Sequence, residues 1–194
     1  MYPDPNSQSA RLFEHAKQVL PGGNSRLAVY FPPYPVYGVR GEGCRIWDAD
    51  GIERIDCINN MTALIHGHSH PKIIEAIKKQ ADQLMGVGVP TEQEIELAAE
   101  LCNRLPGVDK IRFANSGTEA VMFAIRAARS YTGRSKVAKV EGGYHGSYDH
   151  MNTGQSVDPE NWGPADAPAT TPFGGGIPPG AISETITFPY NNVE

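Results

Sequence analysis

The chain has 194 residues, a formal net charge of −5, and 40% hydrophobic against 20% charged residues. This balance suits a packed globular core of one large domain, with or without a small appendage, rather than a disordered chain. The acidic charge, with no cluster of Lys and Arg, argues against nucleic acid or an anionic membrane as partner.

The opening sixteen residues contain no apolar stretch of secretory length, and no later segment reaches membrane-spanning length. Cys44, Cys57 and Cys102 are an odd number at wide spacings. They read as reduced thiols of a cytoplasmic protein, serving as small buried hydrophobes.

In chain order, Leu12, Phe13, Ala16, Val19 and Leu20 share one face of a helix over 9–20, which Pro21-Gly22-Gly23 stops. The Pro-, Tyr- and Gly-rich stretch 24–43 reads as irregular, with a short strand near Val36. Two short apolar strands flank Ala49-Asp50-Gly51, a hairpin signal. Pro71 suits the first position of a helix whose apolar face carries Ile73, Ile74, Ile77, Ala81 and Leu84. Thr91 and Glu94 form a capping-box pattern that opens a further helix ending before Pro106.

Residues 110–115 then read as a strand, 116–130 as a helix and 136–140 as a second strand. Strand, helix, strand at this spacing predicts a right-handed βαβ unit with parallel strands. Residues 153–180 are crowded with Pro and Gly and show no period, as in a functional loop or part of a substrate entrance. Residues 185–189 predict one further strand. A doubly wound sheet needs more strands than these, so the chain is expected to stop in mid-domain.

Two segments carry the chemistry. Asn115-Ser116-Gly117-Thr118-Glu119-Ala120 lies where a strand gives way to a helix. Unpaired N–H groups, the helix dipole, a glycine and two hydroxyls there can form a cup for a phosphate dianion. Plain capping by Ser116 and Glu119 fits the same residues. Glu141-Gly-Gly-Tyr144-His145-Gly146 follows the next strand, at the end where ligands of open α/β sheets sit. Tyr144 is placed there to lie against a flat ligand, or to anchor the loop. His66-x-His68-x-His70, with Cys57, is the rival metal-binding pattern; it breaks at Gly67 and Ser69-His70-Pro71, a turn into a helix, and no metal is expected.

Ser116-Gly-Thr-Glu-Ala120 followed by Gly143-Tyr-His-Gly146 resembles the class III aminotransferases. Pro21-Gly-Gly-Asn-Ser-Arg26, Gly41-Glu-Gly, Trp47-Asp-Ala-Asp-Gly51 and Gly67-His-Ser-His-Pro71 extend the resemblance over nearly the whole chain. It is greatest to the branch of glutamate-1-semialdehyde aminomutase and the aminotransferases of β-amino acids.

The resemblance implies an α/β chain: an N-terminal α+β segment over 1–65, then over 66–194 the start of a fold type I large domain. That domain is a mainly parallel sheet with helices on both faces, incomplete at its C-terminus. The implied cofactor is pyridoxal 5′-phosphate (PLP). Gly117 and Thr118 N–H groups and the Ser116 or Thr118 hydroxyl would hold its phosphate, Tyr144 would stack on its ring, and His145 would shape the loop. Arg26 would grip a substrate carboxylate through its planar fork, although a solvated surface arginine reads equally well. Asn59-Asn60-Met61-Thr62 stands where the aminomutases carry Ser-Trp-Gly-Pro, which favours transfer between an amino donor and an oxo-acid acceptor over the mutase reaction.

The implied enzyme is a homodimer that holds PLP through a Schiff-base lysine. Lys17, Lys72, Lys78, Lys79, Lys110, Lys136 and Lys139 match that position nowhere, so the lysine is expected beyond Glu194. On that expectation the 194 residues alone are inactive. A non-catalytic module that binds phosphate or a partner is the alternative from another class.

Overall fold

The computed structural model describes residues 2–26, 28, 30–156 and 158–192. Leu27, Val29 and Val157, from the two irregular stretches, lie outside the described residues. The chain divides into two compact units, Met1–Pro90 and Thr91–Glu194.

In the first unit, helix α1 (Gln8–Val19) begins where Ser7 accepts a hydrogen bond from Ala10 N–H at 3.1 Å. Its remaining early N–H groups turn to Asp50, whose carboxylate accepts from Gln8 N at 2.6 Å and Ser9 N at 3.2 Å. A carboxylate at a helix N-terminus satisfies orphan donors and meets the positive end of the dipole. The Gln8 N–H, ahead of the other contacts, holds the Asp50 carboxyl below its ordinary range. Ala10 and Phe13 pack on Tyr34, with Tyr37 against them, to form a small core.

Strands β1 (Gly38–Glu42), β2 (Arg45–Asp48) and β3 (Glu53–Ile55) form an antiparallel sheet in that order. The first strand starts at Gly38 rather than near Val36. Pro32, Pro33 and Pro35 have no N–H to donate, so ladder pairing begins only beyond them. The Asp-Gly hairpin is present, with Gly51 at φ 77°. At its centre Asp48, 1% exposed, accepts from Asp50 N at 3.0 Å, Ile52 N at 2.8 Å and Arg54 Nε at 2.8 Å. Cys44 and Cys57 are exposed and Cys102 half-buried, so the expectation of buried thiols fails. Cys44 sits in the tight β1–β2 turn, where there is no core to face. Helix α2 (Pro71–Ala81) starts on its proline, yet Ile73, Ile74 and Ile77 are 43%, 37% and 58% exposed.

In the second unit, helix α3 (Glu92–Arg104) follows Thr91, whose side chain makes no capping bond. Residues 110–115 are not a strand. A strand exists only as part of a ladder, and among the described residues this segment has no partner. The predicted βαβ pairing is therefore replaced: after α4 (Gly117–Thr132), β4 (Val137–Val140) pairs in parallel with β5 (Thr185–Phe188). Between them the chain runs through a long loop and a short helix, α5 (Pro179–Ser183). The described residues are thus a mixed α/β chain with two small sheets. Among them no helix is long and apolar enough to cross a membrane.

The hairpin's dependence on Asp48 is measurable. Asp48→Ala should lower unfolding stability by about 2–4 kcal/mol in urea titrations, because it orphans two turn N–H groups and the Arg54 guanidinium. Removing the exposed partner of Arg40 with Glu42→Ala should cost less than about 1 kcal/mol. Equal costs would mean that the hairpin is not organised around Asp48.

Candidate functional site

The start of α4 is an open set of hydrogen-bond donors. Ser116, extended at φ −153°, turns its hydroxyl back to accept from Glu119 N at 3.2 Å. The Glu119 carboxylate accepts from Asn115 N at 2.6 Å. Ser116 O takes the Ala120 N–H at 3.0 Å. The Gly117 and Thr118 N–H groups remain, and among the described residues neither has an acceptor. Gly117 is exposed, with open space where a side chain would stand. Capping and anion binding are therefore compatible: the cap uses the Glu119 and Asn115 donors and leaves two N–H groups for a ligand.

The second motif closes on the first. Glu141 N still belongs to the ladder, bonding Phe188 O at 2.9 Å, and Gly142 turns the chain at φ 66°. Gly146, at φ 95°, lies so near Thr118 that a Cβ would come within 2.6 Å of its Oγ1. Ser147 N then donates to the same Thr118 oxygen at 3.0 Å. Glycine at 146 is thus required twice, for its conformation and for the close approach. Thr118 accepts from the loop and keeps its own O–H free to donate outward.

Tyr144 projects from this loop with 70% of its surface exposed. His145 is half-buried and folds back, its Nε2 standing 2.9 Å from where a Cβ on Gly143 would be. An open cavity of about 480 Å³ runs from Glu141 and Gly142 to Trp162, Gly163 and Ala169 of the long loop. Ser116, Gly117 and Thr118 therefore share one edge of the second unit with the loop that bears Tyr144 and His145.

Arg26 lies in the first unit. Its guanidinium donates to Asn60 Oδ1 at 3.2 Å. Asn60 belongs to an unusual turn: Asn59, Asn60, Met61 and Thr62 all have positive φ, between 48° and 69°. Of these four residues only the asparagines tolerate that region readily, so Met61 and Thr62 each carry about 1–2 kcal/mol of strain. Asp56 starts the turn by accepting from Ile58 N and Asn59 N, both at 2.9 Å, and it also meets His68 Nε2 at 2.7 Å. The histidine run is thereby divided: His68 serves Asp56, while the His66 and His70 rings lie 5.3 Å apart. Among the described residues no three His, Cys, Asp or Glu side chains gather to hold a metal ion.

Sequence reasoning missed the turn at 59–62, Asn60 beside Arg26, and Lys139, which is buried at the centre of β4. The Asn-Asn pair and a lysine inside Val-Ala-Lys-Val were the available signals.

The family profile described as aminotransferase class-III matches residues 28–163. A glutamate-1-semialdehyde 2,1-aminomutase of Methanothermobacter thermautotrophicus is 41% identical over 187 residues, covering 96% of this chain and 42% of its own length. An omega-transaminase from Sphaerobacter thermophilus superposes with a TM-score of 0.93 and 48% identity, over 99% of this chain and 44% of that one. A β-phenylalanine aminotransferase from Variovorax paradoxus gives 0.77 and 34%, over 97% and 39%. The chain thus spans less than half the length of each.

Two measurements test this geometry. Met61→Gly should raise stability by roughly 0.5–1 kcal/mol in thermal unfolding, since it removes strain from a half-exposed residue; a loss would mean that the turn is not left-handed. The second concerns acid. The Asn59 N–H, followed by the His68 contact, lowers the Asp56 pKa below its ordinary 3.8. A depressed folded pKa stabilises above 3.8 and loses that stabilisation as pH falls below it. Asp56→Asn should therefore flatten the acid limb of the stability profile below that pH, and an unchanged limb would contradict the assignment.

Proposed function

Because this chain belongs to the class-III aminotransferase family, we propose that it supplies the phosphate-binding and ring-stacking part of an amino-transferring enzyme. The enzyme moves an amino group from an amino acid or amine to an oxo acceptor. Pyridoxal 5′-phosphate is the cofactor of the family. When bound, it supplies an electron-withdrawing ring that stabilises negative charge beside the departing amino nitrogen.

The observation that carries this reading is the pair of Gly117 and Thr118 N–H groups, unpartnered among the described residues, with Gly146 and Ser147 locked onto Thr118. The donor set fits a phosphate dianion: two backbone N–H groups, a hydroxyl with a free proton, and the positive end of α4. Tyr144 would lie against the cofactor ring and limit water on that face. His145 supports the loop from within. Within the first unit, Arg26, oriented by Asn60, is the residue we assign to a substrate carboxylate.

The lysine that holds the cofactor and moves the substrate proton lies beyond Glu194 on this reading. To it also belong the division at 65/66, the fold type I large domain, a homodimer and a cytoplasmic location.

A second reading rests on the aminomutase likeness, in which one substrate gives up and regains its amino group. The turn Asn59-Asn60-Met61-Thr62 favours transfer between two substrates. A substrate panel separates them: product formed only when a second, oxo substrate is present supports transfer, while turnover of one substrate alone supports the mutase.

The residue assignments make a further prediction. Thr118→Ala should raise the PLP dissociation constant about 10-fold or more, and Tyr144→Ala about 3- to 10-fold. Borohydride reduction of the PLP-loaded whole protein should lock the cofactor on a lysine outside residues 1–194. An adduct on any of the seven lysines named above would contradict the proposal.

A further inference from the structure

Lys139 is 3% exposed at the centre of β4. It shares a sheet face with Thr185 and Thr187, which are also buried, while Ile186 and Phe188 of the same strand are 48% and 45% exposed. The covered face of this sheet is therefore its polar one, and each donor on it needs an acceptor. The segment 150–154 supplies them. Lys139 Nζ donates to Met151 O at 3.0 Å and Thr153 O at 2.5 Å. The Thr153 hydroxyl donates to His150 O at 3.1 Å, and the Thr185 hydroxyl is shared between Ala181 O at 2.8 Å and His150 O at 3.0 Å. Burial pushes the Lys139 pKa down to about 8, so the ammonium keeps its proton at neutral pH.

The same strap reaches the candidate site. Gly154 O accepts from Gly142 N at 2.8 Å, and Gly142 opens the loop that bears Tyr144. That loop has two anchors: Ser147 to Thr118 at its far end, and Gly142 to Gly154 at its near end. Only the near anchor depends on the strap.

We infer that Lys139 is a positioning residue for Tyr144: its ammonium fixes residues 151–153, and the strap so fixed holds Gly142. The inference rests on the reading of Tyr144 as the face that meets the cofactor ring. It gives a buried lysine a task away from covalent attachment.

The test is site-resolved amide exchange in the whole protein without cofactor, followed by PLP titration. Lys139→Met keeps much of the side-chain volume and removes charge and donors. Exchange at Gly142 and Gly154 should quicken roughly 10-fold, while the ladder amide of Glu141 keeps its protection. Gly154→Ala reaches the strap independently, because its Cβ would stand 2.8 Å from Thr187 Oγ1 at a φ of +60°; it should quicken Gly142 with Lys139 intact. This second variant carries the test if Lys139→Met does not fold. Unchanged exchange at Gly142 in the folded variants overturns the inference. PLP affinity should fall in Lys139→Met by a factor similar to that in Tyr144→Ala. Loss in Tyr144→Ala alone overturns the link from Lys139 to Tyr144. Loss in neither variant, with Gly142 exchange quickened, means that the cofactor reading of Tyr144 has failed instead.

Discussion

Among the described residues the N–H groups of Gly117 and Thr118 have no acceptor, and the cup proposed at the start of α4 depends on that fact. Every α-helix begins with donors that cannot be satisfied internally, and most are capped by side chains or water. Here the cap is partial by construction. Ser116 and Glu119 satisfy their neighbours at 119 and 115, not the two N–H groups between them. The β4 loop then bonds to the Thr118 hydroxyl, which brings a second motif to the same helix end without blocking its donors. A helix start with free donors suits an anion, which is the basis of the proposed phosphate site.

The polar interior of the second unit follows a related logic. Lys139, Thr185 and Thr187 are covered by backbone carbonyls and hydroxyls of the long loop, rather than by apolar side chains. A loop of that length can stay ordered because its own polar groups satisfy the face beneath it. In the first unit, Asp48 and Asp56 each organise a turn through backbone N–H groups, and Asp50 satisfies the first N–H groups of α1. Short carboxylates, more than a large core, hold that unit's local geometry.

Much of this was legible in the sequence. Helix α1, the Asp-Gly hairpin, Pro71 at a helix start, α4 with its cap, and the strand expected at 185–189 and found at Thr185–Phe188 follow from periodicity and turn chemistry, although Val19 and Leu20 of the α1 stripe are exposed. The strand expected at 110–115 was not realised, because apolar alternation identifies a segment that can pair but not whether a partner lies beside it. The short strand expected near Val36 is β1, which starts at Gly38, beyond the prolines at 32, 33 and 35. The left-handed turn at 59–62 defies propensity at Met61 and Thr62, and surrounding contacts, not local preference, impose it. The burial of Lys139 is not legible in the sequence because its acceptors are backbone carbonyls, which leave no trace in side-chain identity. The motifs at 115–120 and 141–146 pointed to a family only as a pair in order, and the profile of that family matches residues 28–163.

The most direct measurement is a titration of the ¹⁵N-labelled protein with PLP and, separately, with pyridoxal, which lacks the phosphate. The account predicts that PLP shifts the Gly117 and Thr118 amide resonances downfield and slows their exchange, and that pyridoxal leaves both unmoved. Equal responses to the two compounds, or shifts that avoid these two amides, would contradict the claim that the start of α4 is a phosphate cup.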